Sequence, residues 1–260
     1  MIVLYEHPSS PYAQKVKILL IEKGLPFEAR MPGVADLAPG SDFAQGSPRG
    51  EVPVLIDGET RVFDSTIIAE YLEDAYPEPA MRPKSASERA RVRMLEEICD
   101  TLFEAVNWAV GEIVVWGRAE GALRDALLAR AAEQTAGVHR WLERELGKQT
   151  YMNGESFGYG DACVYPYVAG AAGRGCAPPA GSKLADWYAR MLTRKSVARC
   201  VADVAPALGS FDQLKGLLAQ GLFKREYRDH RLEWMLRSGG VEIVLEGMKK
   251  NNIRFSHEPS

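Results

Sequence analysis

The chain has 260 residues, of which 46% are hydrophobic and 26% are charged, as in ordinary globular proteins. A chain of this length forms one large domain or two smaller ones, with cores that need no disulfide staples. The formal net charge of −3 argues against a dedicated nucleic-acid-binding protein, which would normally be basic. Neither a signal peptide nor an apolar run of about 18 residues is found, so we expect a cytoplasmic protein without membrane association.

The first 50 residues alternate between strand-like and helix-like segments. Residues 2–7 (IVLYEH) form a short β-rich run, and residues 11–24 (PYAQKVKILLIEKG) carry a wide apolar stripe that ends at a glycine. Residues 26–32 predict a second strand. Residues 33–50 are rich in Gly, Pro, Ser and Asp, and they predict a loop with room for one short helix.

A hairpin and a helix complete this half. The run VPVLI predicts a strand, Asp57-Gly58 predicts a tight turn, and TRVFD predicts the returning strand. The run STIIAEYLEDAYP predicts a helix with Asp64 or Ser65 as its N-cap. A β-α-β unit followed by β-β-α is the thioredoxin-like order, and we assign it to residues 1–78.

The composition changes after a proline-rich linker at residues 79–84. Helices are predicted over residues 85–117, 119–146, from about 158–161 onward, and over 183–193, and Ser85 with Glu88 has the spacing of a capping box. We predict an all-helical domain over residues 85–210.

A C-terminal extension follows over residues 211–260. It looks helical and highly charged, which is typical of a solvated helix face, although a lid over a cleft or a dimer contact is the functional alternative. Its densest charges are Lys224, Arg225, Arg228, Asp229, His230 and Arg231.

The cysteines and histidines show no metal-binding pattern. Neither C-x-x-C nor zinc-finger spacing occurs, so the cysteines are expected to be reduced packing thiols, and we expect no metal site. The four cysteines are Cys99, Cys163, Cys176 and Cys200.

Val52-Pro53 lies inside an otherwise regular strand pattern. Because proline cannot donate a ladder hydrogen bond, one interpretation is an edge strand with a trans proline, which is the commoner arrangement. The other is a cis peptide that presents the backbone of Val52 to an extended peptide ligand.

Two further pairs precede predicted helices. Asp64-Ser65 has two interpretations. It is either a plain N-cap, or a site where Ser65 and backbone N–H groups bind a carboxylate while Asp64 binds an ammonium group. One ligand with both an α-amino and an α-carboxylate group would satisfy that pair. Ser9 and Ser10 precede Pro11, and they suit a cap or a site that stabilises a thiolate at the helix N-terminus.

The order and spacing of these motifs resemble the soluble glutathione transferases. The matching segments are SSPYAQKVKILLIEKGLPFE, SPRGEVPVLIDGE and FDSTIIAEYLEDAYPE, followed by the proline-rich linker and the helical half. The resemblance covers about residues 1–205. It implies an α/β thioredoxin-like N-terminal domain, an all-α C-terminal domain, a homodimer, and glutathione as co-substrate.

The resemblance also implies site residues. Val52 would pair with the cysteinyl backbone of glutathione through a cis Pro53, and Asp64 and Ser65 would hold its γ-glutamyl group. Ser10 would be the catalytic hydroxyl that stabilises the thiolate, as in serine-type classes, because it stands five residues before a basic residue. The alternative hydroxyls are those of Ser9 and, less favoured, Tyr5.

Two positions depart from the family pattern. Glu51 stands where relatives often carry Lys or Gln beside the glycine carboxylate. We therefore expect either that Arg49 or Lys15 supplies that cation or that glutathione sits differently. Gly158 stands where relatives carry Ser or Thr three residues before Asp161, and glycine is a tolerable cap.

The electrophile site is expected between the domains. Trp108, Glu112 and Trp116 are spaced i, i+4, i+8 on one helix face, which suits either a buried core stripe or an aromatic wall to which Tyr12 contributes. We therefore expect a detoxifying transferase that activates the glutathione thiolate for attack on a hydrophobic or aromatic electrophile, or a related lyase, isomerase or dehalogenase.

The alternative is a non-catalytic protein of the same fold that binds glutathione or apolar ligands, or that regulates other proteins. The third hypothesis is a disulfide reductase, which is disfavoured because position 10 is not cysteine.

Overall fold

The computed structural model describes residues 1–208, 211–222, 225–226 and 229–254. Of the charged residues noted in the extension, Lys224 and Arg228 lie outside the described residues, as do the side chains of Asp229 and His230.

A four-stranded sheet forms the centre of the N-terminal half. Its strands are β1 (Ile2–Tyr5), β2 (Phe27–Arg30), β3 (Val54–Asp57) and β4 (Thr60–Phe63). The spatial order is β2-β1-β3-β4, with β1 and β2 parallel and the other two pairs antiparallel. This is the predicted thioredoxin-like arrangement.

The helices of this half begin and end where the sequence signals predict. They are α1 (Pro11–Glu22), α2 (Asp42–Gly46) and α3 (Ser65–Ala75), with a 3-10 turn at Val34–Leu37. The first helix begins after Ser10 and ends before Gly24, which has φ +67° and so takes a conformation that glycine adopts without steric cost.

Pro53 lies immediately before β3, and the Val52–Pro53 peptide is cis. Strand β3 hydrogen-bonds to both β1 and β4, so it is a central strand. The edge-strand interpretation is therefore wrong, and the cis peptide implied by the family resemblance is confirmed.

The second half is helical, as predicted. Its helices are α4 (Ala86–Ile98), α5 (Glu104–Val114), α6 (Gly121–Leu146), α7 (Tyr159–Ala172), α8 (Lys183–Leu192) and α9 (Lys195–Leu208). A π-helical turn at Cys99–Phe103 joins α4 to α5, so the predicted long first helix contains an irregular turn.

The C-terminal extension is less uniformly helical than expected. It contains α10 (Phe211–Ala219), α11 (Asp229–Arg237) and α12 (Val241–Lys249), and the short strands β5 (Arg225–Glu226) and β6 (Ile253–Arg254) pair in parallel. The charged run therefore does not form one solvated helix, because Arg225 lies in a strand. Neither does Arg231 lie on a solvated face, since its side chain is buried 2.7 Å from Glu104.

One hydrophobic core spans both halves. Strand β1 and helix α1 supply Leu4 and Leu19, helix α4 supplies Leu95, and the later helices supply Tyr165 and Trp187. The two halves thus share buried surface, and the face between α1 and α7 is continuous core.

The structure gives a steric reason for glycine, rather than serine or threonine, at position 158. A Cβ atom at this position would lie 2.4 Å from the carbonyl oxygen of Met81 and 2.2 Å from Nδ2 of Asn153, so the linker passes too close for a serine or threonine. Asp161 compensates by accepting hydrogen bonds from the Gly158 N–H at 3.1 Å and from Trp187 Nε1 at 2.8 Å.

The cysteines are free, and three of them are buried. Burial raises the pKa of the Cys200 thiol to about 12 and raises the pKa values of Cys99 and Cys163 well above their usual range. These three thiols are therefore protonated at neutral pH, as expected for packing residues.

Within the described ranges, no three His, Cys, Asp or Glu side chains come together in an arrangement that could hold a metal ion. Of the helices in the described part of the chain, none combines the length and apolar character required to span a bilayer.

The burial of His139 predicts that the protein loses stability as the pH falls. Its side chain is 4% exposed, and burial lowers its pKa to about 4 from an ordinary value of 6.5. The unfolded chain therefore binds a proton between about pH 6.5 and 4 that the folded chain does not, and stability falls as the pH falls through that window. The full effect is about 3 kcal/mol.

The measurement is urea unfolding of the wild type and of His139→Gln at pH 7.5 and pH 4.5. We expect the wild type to lose about 2–3 kcal/mol more than the variant between the two conditions, because glutamine does not titrate. Equal losses in both proteins would show that His139 does not carry this pH dependence.

Candidate functional site

A cleft opens where the loop before β3, the end of β4 and the start of α3 meet helix α1. It is lined by Tyr12, Ser47, Arg49, Glu51, Val52, Pro53, Phe63, Asp64 and Ser65. The structure therefore brings together the predicted glutathione-binding residues Val52, Pro53, Asp64 and Ser65, with Tyr12 of the predicted substrate set. Ser10 is not in the lining, although it stands two residues before Tyr12.

Asp64 and Ser65 form the mouth of α3. Asp64 caps the helix, accepting hydrogen bonds from the N–H groups of Thr66 at 3.0 Å and Ile67 at 3.4 Å through a single oxygen, Oδ1. Its φ is +71°, a strained value for a residue other than glycine and one that Asp and Asn tolerate best. Such strain concentrates at functional sites.

Arg49 lies between the two acidic residues of the cleft. Its Nε is 3.3 Å from Glu51 Oε2, its Nη2 is 3.6 Å from Asp64 Oδ2, and its guanidinium lies 5.5 Å from the centre of the Phe63 ring. Ser47 fixes the backbone of Glu51, since its hydroxyl donates to the Glu51 carbonyl and accepts from the Glu51 N–H.

Lys15 cannot serve the cleft. Its side chain is 0% exposed, and its Nζ lies 2.5 Å from Glu96 and 2.7 Å from Asp100. Burial alone would lower the pKa of Lys15, but the carboxylates of Asp100 and Glu96 raise it above its usual value, so the amine stays charged. Of the two expected cations, only Arg49 lies in the cleft.

Ser10 and Ser9 have different partners at the mouth of α1. Ser10 is the N-cap, and its Oγ accepts a hydrogen bond from the Ala13 N–H at 3.3 Å. A hydroxyl that accepts this bond keeps its own proton available for donation. Ser9 Oγ lies 2.7 Å from Nδ1 of His7, and the third candidate, Tyr5, is buried against Phe43.

Tyr12 connects the cleft to the buried charges. Its hydroxyl donates to the backbone carbonyl of Asp100 at 2.8 Å, and its ring meets the ring of Tyr167 edge to face. Tyr167 in turn donates to Asp100 Oδ1 at 2.7 Å. One wall of the cleft is therefore fixed by the interface between the two halves.

Trp108, Glu112 and Trp116 lie apart from this cleft and surround Arg225 of the extension. Glu112 is fully buried, with Oε1 2.7 Å from Arg225 Nε. The guanidinium of Arg225 lies 4.3 Å from the centre of the Trp116 ring and 5.8 Å from that of Trp108. We call these four residues the Arg225 cluster.

The charge of Arg225 has an electrostatic effect on His7, in the loop between β1 and α1. Burial lowers the pKa of His7, and the positive charge of Arg225 lowers it further, so the two side chains are close enough to interact electrostatically. His7 is the residue that holds Ser9. The charge of Arg225 therefore acts on the residue that holds Ser9 at the mouth of α1.

Several site residues were not predicted from the sequence. Ser47, Phe63 and Arg225 are the main ones. Ser47 and Phe63 have no individual signal, because their roles depend on where the loop and β4 meet. Arg225 lies in a run of charges that is typical of a solvated helix, and only the tertiary structure places it between two tryptophans.

The chemistry of the cleft suits a zwitterionic peptide. It combines a guanidinium, two carboxylates and a helix N-terminus that favours an anion. Val52 lines the same cleft.

Comparisons with known proteins point to one family. The family model described as "Glutathione S-transferase, N-terminal domain" matches residues 4–80. Glutathione S-transferase 3 of Zea mays is 32% identical over 165 residues, which cover 61% of this chain and 73% of that protein. The uncharacterized GST-like protein YibF of Escherichia coli (strain K12) is 43% identical over 100 residues, covering 37% of this chain and about half (48%) of that protein.

A solved structure extends the likeness beyond the N-terminal half. The crystal structure of rice GST1 (OsGSTU1) in complex with glutathione matches with a TM-score of 0.66 and 25% identity, covering 83% of this chain and 96% of that chain. The predicted fold class, a thioredoxin-like domain followed by a helical domain, is confirmed.

Proposed function

Because the chain belongs to the glutathione S-transferase family, we propose that it binds glutathione in the cleft beside α3 and activates its thiol for attack on a hydrophobic or aromatic electrophile. The observation that carries this proposal is that Arg49, Val52, Asp64 and Ser65 line one cleft. The rice relative, whose crystal contains glutathione, supports the choice of ligand.

Each group of glutathione has a complementary partner in the cleft. The γ-glutamyl carboxylate would lie at the N-terminus of α3, where the N–H and hydroxyl of Ser65 can donate. The γ-glutamyl ammonium would pair with Asp64, whose Oδ2 is not used for capping. The backbone of Val52 would pair with the cysteinyl residue, and Arg49 would hold the glycine carboxylate.

Ser10 would stabilise the thiolate. Its hydroxyl can donate to the sulfur while its oxygen keeps the capping bond to Ala13. The α1 N-terminus adds a favourable field for negative charge, and a thiol placed there becomes more acidic. Catalysis would then depend on this acidification and on holding the two substrates together.

The electrophile would lie between the cleft and the Arg225 cluster. Trp108 and Trp116, which lie on either side of the Arg225 guanidinium, would supply an aromatic wall. Tyr12 would form the opposite side. We also propose a cytoplasmic homodimer, as is typical of this family.

The second candidate is a non-catalytic binding or regulatory protein of the same fold. One observation favours it: Arg49 already lies near both Glu51 and Asp64, so glutathione must compete with an internal ion pair. Retained binding of apolar ligands without turnover would support this alternative.

Asp64→Asn is the sharpest test of glutathione binding. Asparagine keeps the cap and tolerates positive φ, so the fold should survive while the charge is lost. Loss of a charged hydrogen bond of roughly 1.5–3 kcal/mol predicts about 10- to 100-fold weaker binding of glutathione by isothermal titration calorimetry.

The matched control is Asp42→Asn, which removes an exposed carboxylate of the same half that pairs with Arg61 at 2.7 Å. It should bind glutathione like the wild type. No binding to the wild type would overturn the proposed function, and equal binding to all three proteins would exclude the role given to Asp64.

A further inference from the structure

Ser9 and His7 form a hydroxyl–imidazole pair at the mouth of α1, and the proposed thiolate role of Ser10 does not use this pair. Ser9 Oγ lies 2.7 Å from His7 Nδ1, which is hydrogen-bonding distance. Both residues are partly exposed, so a substrate can reach them. A hydroxyl within hydrogen-bond reach of a basic side chain is the arrangement that nucleophilic catalysis by serine requires.

A second contact gives the direction of this hydrogen bond. The backbone N–H of Ser9 donates to the same Nδ1 atom of His7 at 3.3 Å. Because a backbone N–H can only donate, Nδ1 is the unprotonated, accepting nitrogen of the ring. The Ser9 hydroxyl therefore donates to the imidazole, which is the direction needed when the imidazole is to take the hydroxyl proton.

The surroundings of His7 favour this neutral form of the ring. Burial lowers the pKa of His7 from its ordinary value of 6.5, and the positive charge of Arg225 lowers it further. The imidazole is therefore unprotonated at neutral pH and has room for a proton on Nδ1. A protonated Nδ1 would also lose the hydrogen bond from the Ser9 N–H, because it would itself become a donor.

Two hydrogen bonds hold the loop that carries the pair. The His7 carbonyl accepts from the Ser10 N–H at 2.8 Å, and the Pro8 carbonyl accepts from Gln14 Nε2 at 2.7 Å. Both bonds tie the loop to the first turn of α1 or to the residue that caps it. The hydroxyl and the imidazole are thus positioned before any substrate binds, which lowers the entropic cost of reaction.

The neighbouring hydroxyl has a different role. Ser10 Oγ accepts the capping bond from the Ala13 N–H, and the proposed function assigns its proton to the sulfur of glutathione. Because Ser9 and Ser10 are consecutive residues at one helix mouth, a group bonded to that sulfur would come next to the Ser9–His7 pair. The N-terminus of α1 favours negative charge there, as on the oxyanion of an acyl transfer.

We propose that the chain has a second activity, the hydrolysis of S-acyl glutathione thioesters, with Ser9 as the nucleophile and His7 as its base. This inference rests on the proposed function, because the glutathione cleft would hold the substrate. A thioester is the substrate class because its acyl carbon is bonded directly to the sulfur that Ser10 would receive.

The reaction has two steps. In the first, Ser9 Oγ attacks the thioester carbonyl carbon and its proton passes to His7 Nδ1. The carbon–sulfur bond then breaks, the acyl group stays on Ser9, and glutathione leaves with the proton from His7. In the second step, water attacks the acyl carbon and gives a proton to His7, which returns it to Ser9 Oγ as the carbon–oxygen bond breaks. The products are glutathione and a carboxylic acid.

The first test is hydrolysis of S-benzoylglutathione by the full chain, with the released thiol measured by a chromogenic disulfide. We expect Ser9→Ala and His7→Gln each to lower kcat by about 100-fold or more, since general acid–base catalysis contributes about 10²–10⁴-fold. The matched control is Ser87→Ala, which removes an exposed hydroxyl that lies 3.1 Å from Ser85 Oγ. This control should hydrolyse the thioester like the wild type.

Covalent labelling gives a readout that a merely structural role would not produce. An alkyl fluorophosphonate forms a bond from its phosphorus to an activated serine oxygen and loses fluoride. Peptide mapping by mass spectrometry should place the label on Ser9 of the wild type, and labelling should be at least 10-fold slower in His7→Gln. Circular dichroism and thermal melting check that each variant folds. No label on Ser9, a label on Ser10 instead, or wild-type hydrolysis by Ser9→Ala would each overturn the proposal.

Isothermal titration calorimetry with glutathione, on the same preparations, separates this proposal from the proposed function. If the wild type binds glutathione but its thioester hydrolysis does not depend on Ser9, the second activity is excluded and the proposed function stands. If the wild type does not bind glutathione, both are overturned.

Discussion

Ser10→Ala should lower kcat/KM for conjugation of glutathione to an aryl halide by about 10²–10³-fold, the effect of removing one donor from a developing oxyanion. The physical reason is that the Ser10 hydroxyl and the α1 N-terminus together favour the thiolate over the thiol. The direct measurement is the ultraviolet absorbance of the thiolate of bound glutathione, titrated with pH. In the wild type the thiol pKa should lie well below that of free glutathione, and in the variant it should rise toward the free value.

The control variants separate the loss of the catalytic hydroxyl from the loss of the helix N-cap. Ser10→Ala also removes the hydrogen bond from the Ala13 N–H, at a cost of about 1 kcal/mol, so the assays must be run well below the melting temperature. Ser10→Thr keeps both the cap and the hydroxyl and should restore most of the activity. Ser9→Ala removes a hydroxyl that is bound to His7 and should change kcat/KM by less than about threefold. The opposite ranking of the two alanine variants would move the catalytic role to Ser9.

The parts of the site that could be predicted from the sequence depend on local rules. Ser10 followed by proline and Asp64 before an apolar stripe are helix-start signals, and the structure places both as N-caps. The hairpin around Asp57-Gly58 follows from turn chemistry in the same way. Each of these signals lies within a few residues of the feature that it predicts.

The parts that could not be predicted depend on contacts between distant segments. Lys15 meets Glu96, 81 residues later, and Arg225 meets Glu112, 113 residues earlier. In a single sequence these are ordinary charges, and nothing in their spacing marks them as buried. The same holds for Gly158. Glycine is needed there because the linker approaches closely at Met81, and the sequence does not show this approach.

The buried charges at the interface also constrain the cleft. Asp100 accepts hydrogen bonds on its side chain from Lys15 and Tyr167, and on its backbone carbonyl from Tyr12. Tyr12 lines the cleft, so the position of the cleft wall depends on whether this network is intact. Stability and function are therefore coupled at this interface, and a change in Lys15 should affect both.

Lys15→Met should lower the free energy of unfolding by about 3–5 kcal/mol, since it leaves two carboxylates buried without their cation. The exposed fractions of the side chains are 0% for Lys15, 4% for Glu96 and 14% for Asp100, so water cannot replace the lost partner. The measurement is the urea midpoint and slope at pH 7.5. Arg30→Met is the control, because its partner Glu28 at 2.7 Å is exposed, and it should cost less than about 1 kcal/mol.

The pH dependence of the Lys15→Met deficit gives a second, independent check. Burial already raises the pKa of Asp100, with Lys15 opposing the shift, so removing Lys15 should raise it further. A folded-state pKa above the unfolded value means that the folded variant binds the extra proton, and its stability then decreases as the pH rises through that window. The deficit relative to the wild type should therefore be largest near pH 7.5 and smaller near pH 5. A deficit that is independent of pH would mean that lost packing, rather than unpaired charge, destabilises the variant. The triple variant Lys15→Met, Glu96→Gln, Asp100→Asn should recover part of the loss, because no charge then remains buried.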